Sequence, residues 1–213
     1  MRFYLSSYRL GKEIKKLTRL MPKNRKMAYI PNALDFTKAN LERRKKHVKT
    51  DVDSLKKIGL AVEILDLKKY FKKREKLRKK LDELGGVWVS GGNVFVLRQA
   101  MKLSGFDRIL KDLITRKDFL YAGYSAAGCV LSPSLKAYQI VDDATDTPYK
   151  AQKKIIWKGI GLIDYAFLPH FESKHPESQN ISKEIEYCKK NKMRYKAIRD
   201  GEVIIFEKLS SEK

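Results

Sequence analysis

Short apolar runs of strand length alternate along the chain with longer segments whose apolar residues recur every three or four positions. The runs cover residues 2–6, 26–30, 60–65, 86–90, 119–123 and 164–171. Between them lie helical patterns: 10–20, with Leu10, Ile14, Leu17 and Leu20 on one face, and a charged segment from a Thr37 cap to about Ile58, stopped by Gly59. Further helices are expected over 67–84, with Leu77, Leu81 and Leu84 as the buried stripe, from Asn93 onward, over 105–116 and over 176–191. Strand and helix alternating at this spacing predict an α/β fold, a doubly wound and mostly parallel sheet flanked by helices. Segments 195–198 and 203–207 around Asp200-Gly201 read as a closing C-terminal hairpin. The pattern gives one domain over 1–208 and a frayed tail over 209–213, with a polar loop over 143–157 placed to cover a site. It does not give the strand order.

Charge changes the picture more than size does. Lys and Arg number 47 against 25 Asp and Glu, a formal net charge of +22. Such an excess attracts polyanions in a salt-dependent way and draws acidic substrates at low ionic strength. Lysine predominates, however, and the basic residues are scattered at surface spacing, so a solvated surface is expected and a nucleic-acid partner is not favoured. The best local hint of one is the run Lys68-Lys69-Tyr70-Phe71-Lys72-Lys73-Arg74, where two inward-packed aromatics give the competing explanation. No apolar run is long enough to span a bilayer, and the N-terminal residues enter a strand without a cleavage pattern, so the expected setting is the cytoplasm with no membrane partner. Cys129 and Cys188 lack metal-ligand spacing and are expected to be structural. His47 and His175 lie in charged or polar surroundings and are expected at the surface. The oligomeric state cannot be read.

Candidate chemistry centres on Tyr121-Ala122-Gly123-Tyr124-Ser125-Ala126-Ala127-Gly128. An apolar strand ends at Gly123, a serine follows, and small residues come next, which is the outline of a nucleophile elbow. Upstream, Gly91-Gly92-Asn93 separates a strand from a helix. Paired glycines permit close backbone approach, and the helix N-terminus suits a developing oxyanion. Downstream, a short strand ends in Leu168-Pro169-His170-Phe171, which offers a general base. Together these predict acyl transfer, with Ser125 as nucleophile, His170 as base, and the N–H groups of Gly92 and Ala126 as oxyanion donors. Neither a metal nor any other cofactor is expected.

In this order and spacing the motifs resemble the peptidase E, or aspartyl dipeptidase, family of serine peptidases, which share the class I glutamine amidotransferase-like fold. The resemblance extends from Leu5-Ser6-Ser7 through Ser90-Gly91-Gly92-Asn93-Val94-Phe95 and Gly123-Tyr124-Ser125-Ala126 to Leu168-Pro169-His170-Phe171. It implies a Ser-His-acid hydrolase of short peptides, in particular dipeptides beginning with aspartate, so the expected partner is a small acidic peptide. The orienting acid stays open among Asp200, slightly preferred, Asp142 and Glu202. Gly91, Asn93 and Arg199 are expected to hold substrate, with Lys174 and Lys136 as other cations for its carboxylate. One departure stands out: the family reads Ser-Ala-Gly-Ala at the elbow, and here Ala127 replaces the glycine, which moves to 128. Together with the +22 charge, that departure motivates a second reading, a member without catalysis that binds nucleic acid or another polyanion.

Overall fold

The structure, a computed structural model, describes residues 1–208; the expected frayed tail at 209–213 lies outside them. Six strands form the central sheet: β1 (Arg2–Ser6), β2 (Lys26–Ile30), β3 (Ala61–Ile64), β4 (Gly86–Val89), β5 (Leu120–Tyr124) and β8 (Val203–Glu207), in the order β3-β2-β4-β5-β1-β8. All pairings are parallel except that of β8 against β1. The mostly parallel α/β sheet expected from the sequence is therefore the one that forms.

Side-chain alternation distributes each central strand between two cores. Phe3, Leu5, Ala28, Ile30, Val87, Val89 and Tyr121 enter the larger cluster on one face. Tyr4, Met27, Tyr29, Trp88, Leu120, Ala122 and Tyr124 enter the smaller cluster on the other. Leu17 of α1 (Ile14–Leu20) and Val48, Val52 and Leu55 of α2 (Leu41–Lys57) close the second face. The first is covered by α3 (Arg74–Asp82), α4 (Val94–Ser104), α5 (Phe106–Asp112), α6 (Ala126–Cys129) and α7 (Ser178–Lys190). Among the described residues no helix is long and apolar enough to cross a membrane.

Several elements differ from their sequence pattern. The charged helix begins after Asn40, whose side chain accepts from the Arg43 N–H; Thr37 instead bonds Asp146. The 67–84 segment splits into a 3-10 turn, Leu67–Tyr70, and α3, with Tyr70 and Phe71 packed on the core. The closing hairpin does not form. Glu202 N–H donates to the Arg199 carbonyl across the expected Asp-Gly turn, but β7 (Tyr195–Ala197) pairs in parallel with β6 (Ala166–Leu168) in a separate two-stranded sheet, and β8 pairs with β1. The turn thus carries the chain between two sheets. It brings Asp200 to the C-terminal ends of both β1 and β6, the side where open parallel sheets gather ligands.

Candidate active site

Ser125 is held at φ 49°, ψ −111°, between the last residue of β5 and the first of α6. A non-glycine residue with positive φ costs about 1–3 kcal/mol and persists only where neighbours enforce it. Here the enforcement is visible on both sides: the Ser125 N–H donates to the Ser6 carbonyl at the end of β1 (3.1 Å), and its carbonyl accepts from Gly128 (2.8 Å) and Cys129 (3.1 Å). Ser125 is only partly buried although its strand and helix neighbours are fully enclosed. This is the elbow conformation.

The Ala127-Gly128 exchange is accommodated by two contacts. A Cβ on Gly123 would come within 2.5 Å of the Ala127 methyl, so the glycine on the strand leaves room for the added methyl on the helix. A Cβ on Gly128 would meet the Phe167 ring at 2.5 Å, so the displaced glycine stands where α6 crosses β6. Tyr121 Oη then donates to the Ala127 carbonyl (2.9 Å), fixing the helix start.

The Gly91-Gly92-Asn93 turn abuts the elbow. A Cβ on Gly91 would lie 3.3 Å from that of Ser125, and one on Gly92 would strike the Ala33 carbonyl oxygen at 2.4 Å. Gly92 adopts φ 131°, where a side chain would also be strained. Asn93 caps α4 by accepting from Phe95 (2.8 Å) and Val96 (3.0 Å), and its amide donates to the Asp143 carbonyl (3.0 Å). Among the described residues, the N–H groups of Gly92 and Ala126 have no hydrogen-bond acceptor.

Opposite them, His170 also takes a positive φ, 63°, and is 1% exposed. Its Nδ1 lies 2.7 Å from Asp200 Oδ1, which also accepts from Ser7 Oγ at 2.7 Å. Ser7 Oγ accepts in turn from the His170 backbone N–H (2.8 Å). A carboxylate acceptor at Nδ1 puts the proton there and leaves Nε2 as the basic nitrogen. Burial, reinforced by the neighbouring His175 and opposed by Asp200, pulls the imidazole down to about 4, so it is neutral at physiological pH. Nε2 stands 3.8 Å from a Glu177 oxygen, and Glu177 lines the same cavity as Ser125. No hydrogen bond joins the Ser125 hydroxyl to the His170 ring among the described residues.

Of the three acids left open, Asp200 is the one in contact with His170. The Asp142 carboxylate accepts from the Val94 N–H at the start of α4 (2.7 Å), and Glu202 accepts from the Arg199 N–H (2.7 Å). Arg199 is exposed and paired with Glu172, while Lys174 and Lys136 are exposed; none of the three lines the Ser125 cavity. Instead the cavity carries Asp142, Glu177 and Glu184. Burial pushes Asp142 up to about 8 against the pull of the Val94 N–H, and pushes Glu184 up to about 9.

Sequence reasoning missed Ser7, Glu177 and Glu184 as site residues. Two histidines also depart from their expected surface role. The His175 ring stacks on His170 with centroids 3.8 Å apart, and His47 bonds the Tyr124 hydroxyl (2.5 Å), which donates to buried Asp51 (2.7 Å). His170, His175 and Glu177 are also the described residues whose ligand atoms lie within 4.8 Å of one another. Cys129 and Cys188 are free and buried, as expected of structural residues.

Comparison with known proteins agrees with this architecture. The sequence profile of Peptidase family S51 matches residues 6–212. Two curated relatives, "Uncharacterized peptidase Lin0382" of Listeria innocua and "Uncharacterized peptidase Lmo0363" of Listeria monocytogenes, are each 30% identical over 128 residues, 60% of this chain. The match spans 57% and 58% of those relatives' lengths. Among solved structures, a "Putative Peptidase E Protein" from Listeria monocytogenes EGD-e superposes with TM-score 0.72 at 24% identity, covering 97% of this chain and 98% of that one. A peptidase from an acI-B1 Actinobacterium gives TM-score 0.67 at 14% identity, covering 97% and 83%.

Proposed function

Since the chain belongs to Peptidase family S51, we propose that it is a serine-type peptidase that hydrolyses short peptides through an acyl-enzyme. The observation that carries this reading is the pairing of a strained, partly exposed serine with a neutral, buried imidazole whose Nδ1 is tied to Asp200 at 2.7 Å. In the reaction Ser125 Oγ attacks the scissile carbonyl while His170 Nε2 takes its proton. The same nitrogen then protonates the departing amine, and water repeats the sequence to release the acid. Asp200 keeps the proton on Nδ1 and stabilises the imidazolium that forms, and Ser7 fixes Asp200. The unoccupied N–H groups of Gly92 and Ala126 receive the oxyanion; loss of one such donor typically costs about 3 kcal/mol of transition-state stabilisation. Hydroxyl and imidazole come into hydrogen-bond reach when substrate closes the site, a tightening common in such enzymes. The residues supply nucleophile, base and electrostatic stabilisation without assigning a step to a cofactor.

The resemblance to peptidase E implies a preference for N-terminal aspartate, which requires a cation where the side-chain carboxylate would sit. The candidates Arg199, Lys174 and Lys136 are exposed and stand outside the Ser125 cavity, whose ionisable lining is acidic, so the geometry gives that preference no support. The polyanion-binding reading loses its structural motive, because the elbow keeps its conformation despite Ala127.

The test is labelling with a fluorophosphonate probe mapped by mass spectrometry, together with hydrolysis of a dipeptide panel. Modification of Ser125 and a loss of at least about 10³-fold in kcat for Ser125→Ala are expected. Turnover unchanged by that substitution removes the proposal.

A further inference from the structure

Glu177 has unusual neighbours for this chain. The sequence carries 47 Lys and Arg residues, yet among the described residues none comes within 4.0 Å of the Glu177 carboxylate. Its Oε2 faces two imidazoles instead, 3.8 Å from His170 Nε2 and 3.9 Å from His175 Nδ1. Among the described residues these three side chains form the one group of metal-ligating type, each offering an atom within 4.8 Å of the other two. All three belong to the segment between β6 and α7, and Glu177 also lines the cavity beside Ser125.

We infer that His170, His175 and Glu177 form an inhibitory site for a divalent transition-metal ion of the zinc class, which switches the peptidase off by occupying the nitrogen that serves as its base. Two imidazole nitrogens and one carboxylate oxygen are a zinc-type donor set and a poor one for Mg²⁺ or Ca²⁺, which take oxygen ligands. Tetrahedral Zn²⁺ with bonds of about 2.1 Å spaces its ligand atoms about 3.4 Å apart, so the distances to Glu177 need shorten by only about half an ångström. His170 is already supported as metal-ligating imidazoles are, with Nδ1 tied to the Asp200 carboxylate at 2.7 Å and Nε2 left for the ion. His175 Nδ1 accepts from the Glu177 N–H at 3.3 Å, so it presents a lone pair on the side that faces the carboxylate. Coordination parts the stacked rings. That motion falls to His175, whose side chain is 22% exposed, while His170 stays enclosed.

Occupancy of the site stands on the ligand geometry alone; the inhibition rests on the peptidase reading above. His170 Nε2 has a single lone pair. Once it is donated to a metal ion, the nitrogen can neither accept the Ser125 proton nor deliver one to the leaving amine, and acylation stops. Ser125 and the N–H donors of Gly92 and Ala126 keep their places, so removal of the ion restores the site. Three protein ligands with an open fourth position also describe catalytic zinc, where the metal makes its nucleophile from water. Here the elbow already presents a nucleophile, Ser125 at φ 49°, and a metal on its base works against it. The two roles predict opposite responses to a chelator.

The experiment titrates untagged, chelator-treated protein with Zn²⁺, and with Mg²⁺ and Ca²⁺ as controls, by calorimetry and against dipeptide turnover. Wild type, Ser125→Ala, His175→Ala and Glu177→Gln are compared, each against its own metal-free state. Wild type and Ser125→Ala are expected to bind one Zn²⁺ per chain. Wild-type turnover falls at least about tenfold at saturation and returns on addition of EDTA, while Mg²⁺ and Ca²⁺ at the same concentrations do neither. His175→Ala and Glu177→Gln each weaken Zn²⁺ binding and inhibition at least about tenfold. Both side chains are partly exposed, and should one variant fail to fold by circular dichroism, the other decides. Zn²⁺ affinity unchanged in the variants, turnover untouched by bound Zn²⁺, or turnover lost to EDTA and restored by Zn²⁺ overturns the inference. Zn²⁺ binding that depends on His175 and Glu177, with no turnover by the metal-free protein, keeps the metal site and removes the peptidase. Turnover without Zn²⁺ binding does the reverse.

Discussion

At the scale of single residues, the proposed machinery depends on a hydroxyl that never meets substrate. Ser7 Oγ donates to Asp200 Oδ1 and accepts from the His170 backbone, so it fixes the imidazole and its acid at once. Ser7→Ala leaves a buried His170 N–H unpaired and removes one of the two hydrogen bonds on Asp200 Oδ1, a loss worth about 1–3 kcal/mol. The expected outcome is a fall of roughly tenfold or more in kcat with KM little changed, read by steady-state kinetics. A second expectation concerns pH. Because the imidazole is held near 4, the active base survives well below the ordinary histidine range, and the acid limb of kcat/KM belongs near pH 4 rather than 6.5. His175 adds to the lowering, so His175→Ala moves that limb upward. Ser125 and His170 were legible because each is announced by its own neighbours, small residues after the serine and proline before the histidine, whereas the acid stayed open among Asp200, Asp142 and Glu202. Ser7 carries no such mark. Its role follows from β1 lying between β5 and β8, an order that local periodicity does not encode.

Elements explain both what the sequence pattern foretold and where it failed. Strand existence was legible because β1, β2, β4 and β5 are apolar on both faces, whereas the C-terminal hairpin was not excluded because an Asp-Gly turn looks the same whether its flanking strands pair with each other or with β1 and β6. The displaced elbow glycine is a problem of the same kind. Read along the chain, Ala127 looks like damage to the turn; read between elements, Gly123 admits its methyl and Gly128 admits Phe167. The two positions should therefore respond unequally to substitution. Gly128→Ala forces a methyl into the Phe167 ring of β6 and should lower stability by about 1–3 kcal/mol. Ala127→Gly removes a buried methyl and a good helix former, so it should cost only about 1 kcal/mol while Ser125 keeps its conformation and peptidase turnover is retained. Urea unfolding of both variants alongside turnover checks the pair; a larger loss for Ala127→Gly than for Gly128→Ala would mean that the contacts of α6 are misassigned.

Across the whole molecule, a strongly basic surface surrounds an acidic site, and folding displaces the titration of groups within that site. His170, with a folded value near 4 against an ordinary 6.5, adds stability that is present above pH 6.5 and is lost as pH falls toward 4. Glu184 and Asp142 act in the opposite sense. Their folded values near 9 and 8 exceed the ordinary 4.5 and 3.8, so the folded chain retains protons that the unfolded chain has released, and their contribution declines as pH rises through that interval. Below pH 6.5 the histidine and the carboxyls offset each other; above it only the carboxyls remain. Stability should therefore fall between pH 6.5 and 8 with a slope of up to about 1.4 kcal/mol per pH unit for each proton retained. Glu184→Gln presents the same shape without a titrating group, so its decline over that range should be shallower than that of wild type, by urea unfolding at pH 6.5, 7.25 and 8. Parallel curves for wild type and Glu184→Gln would place the alkaline sensitivity elsewhere in the fold.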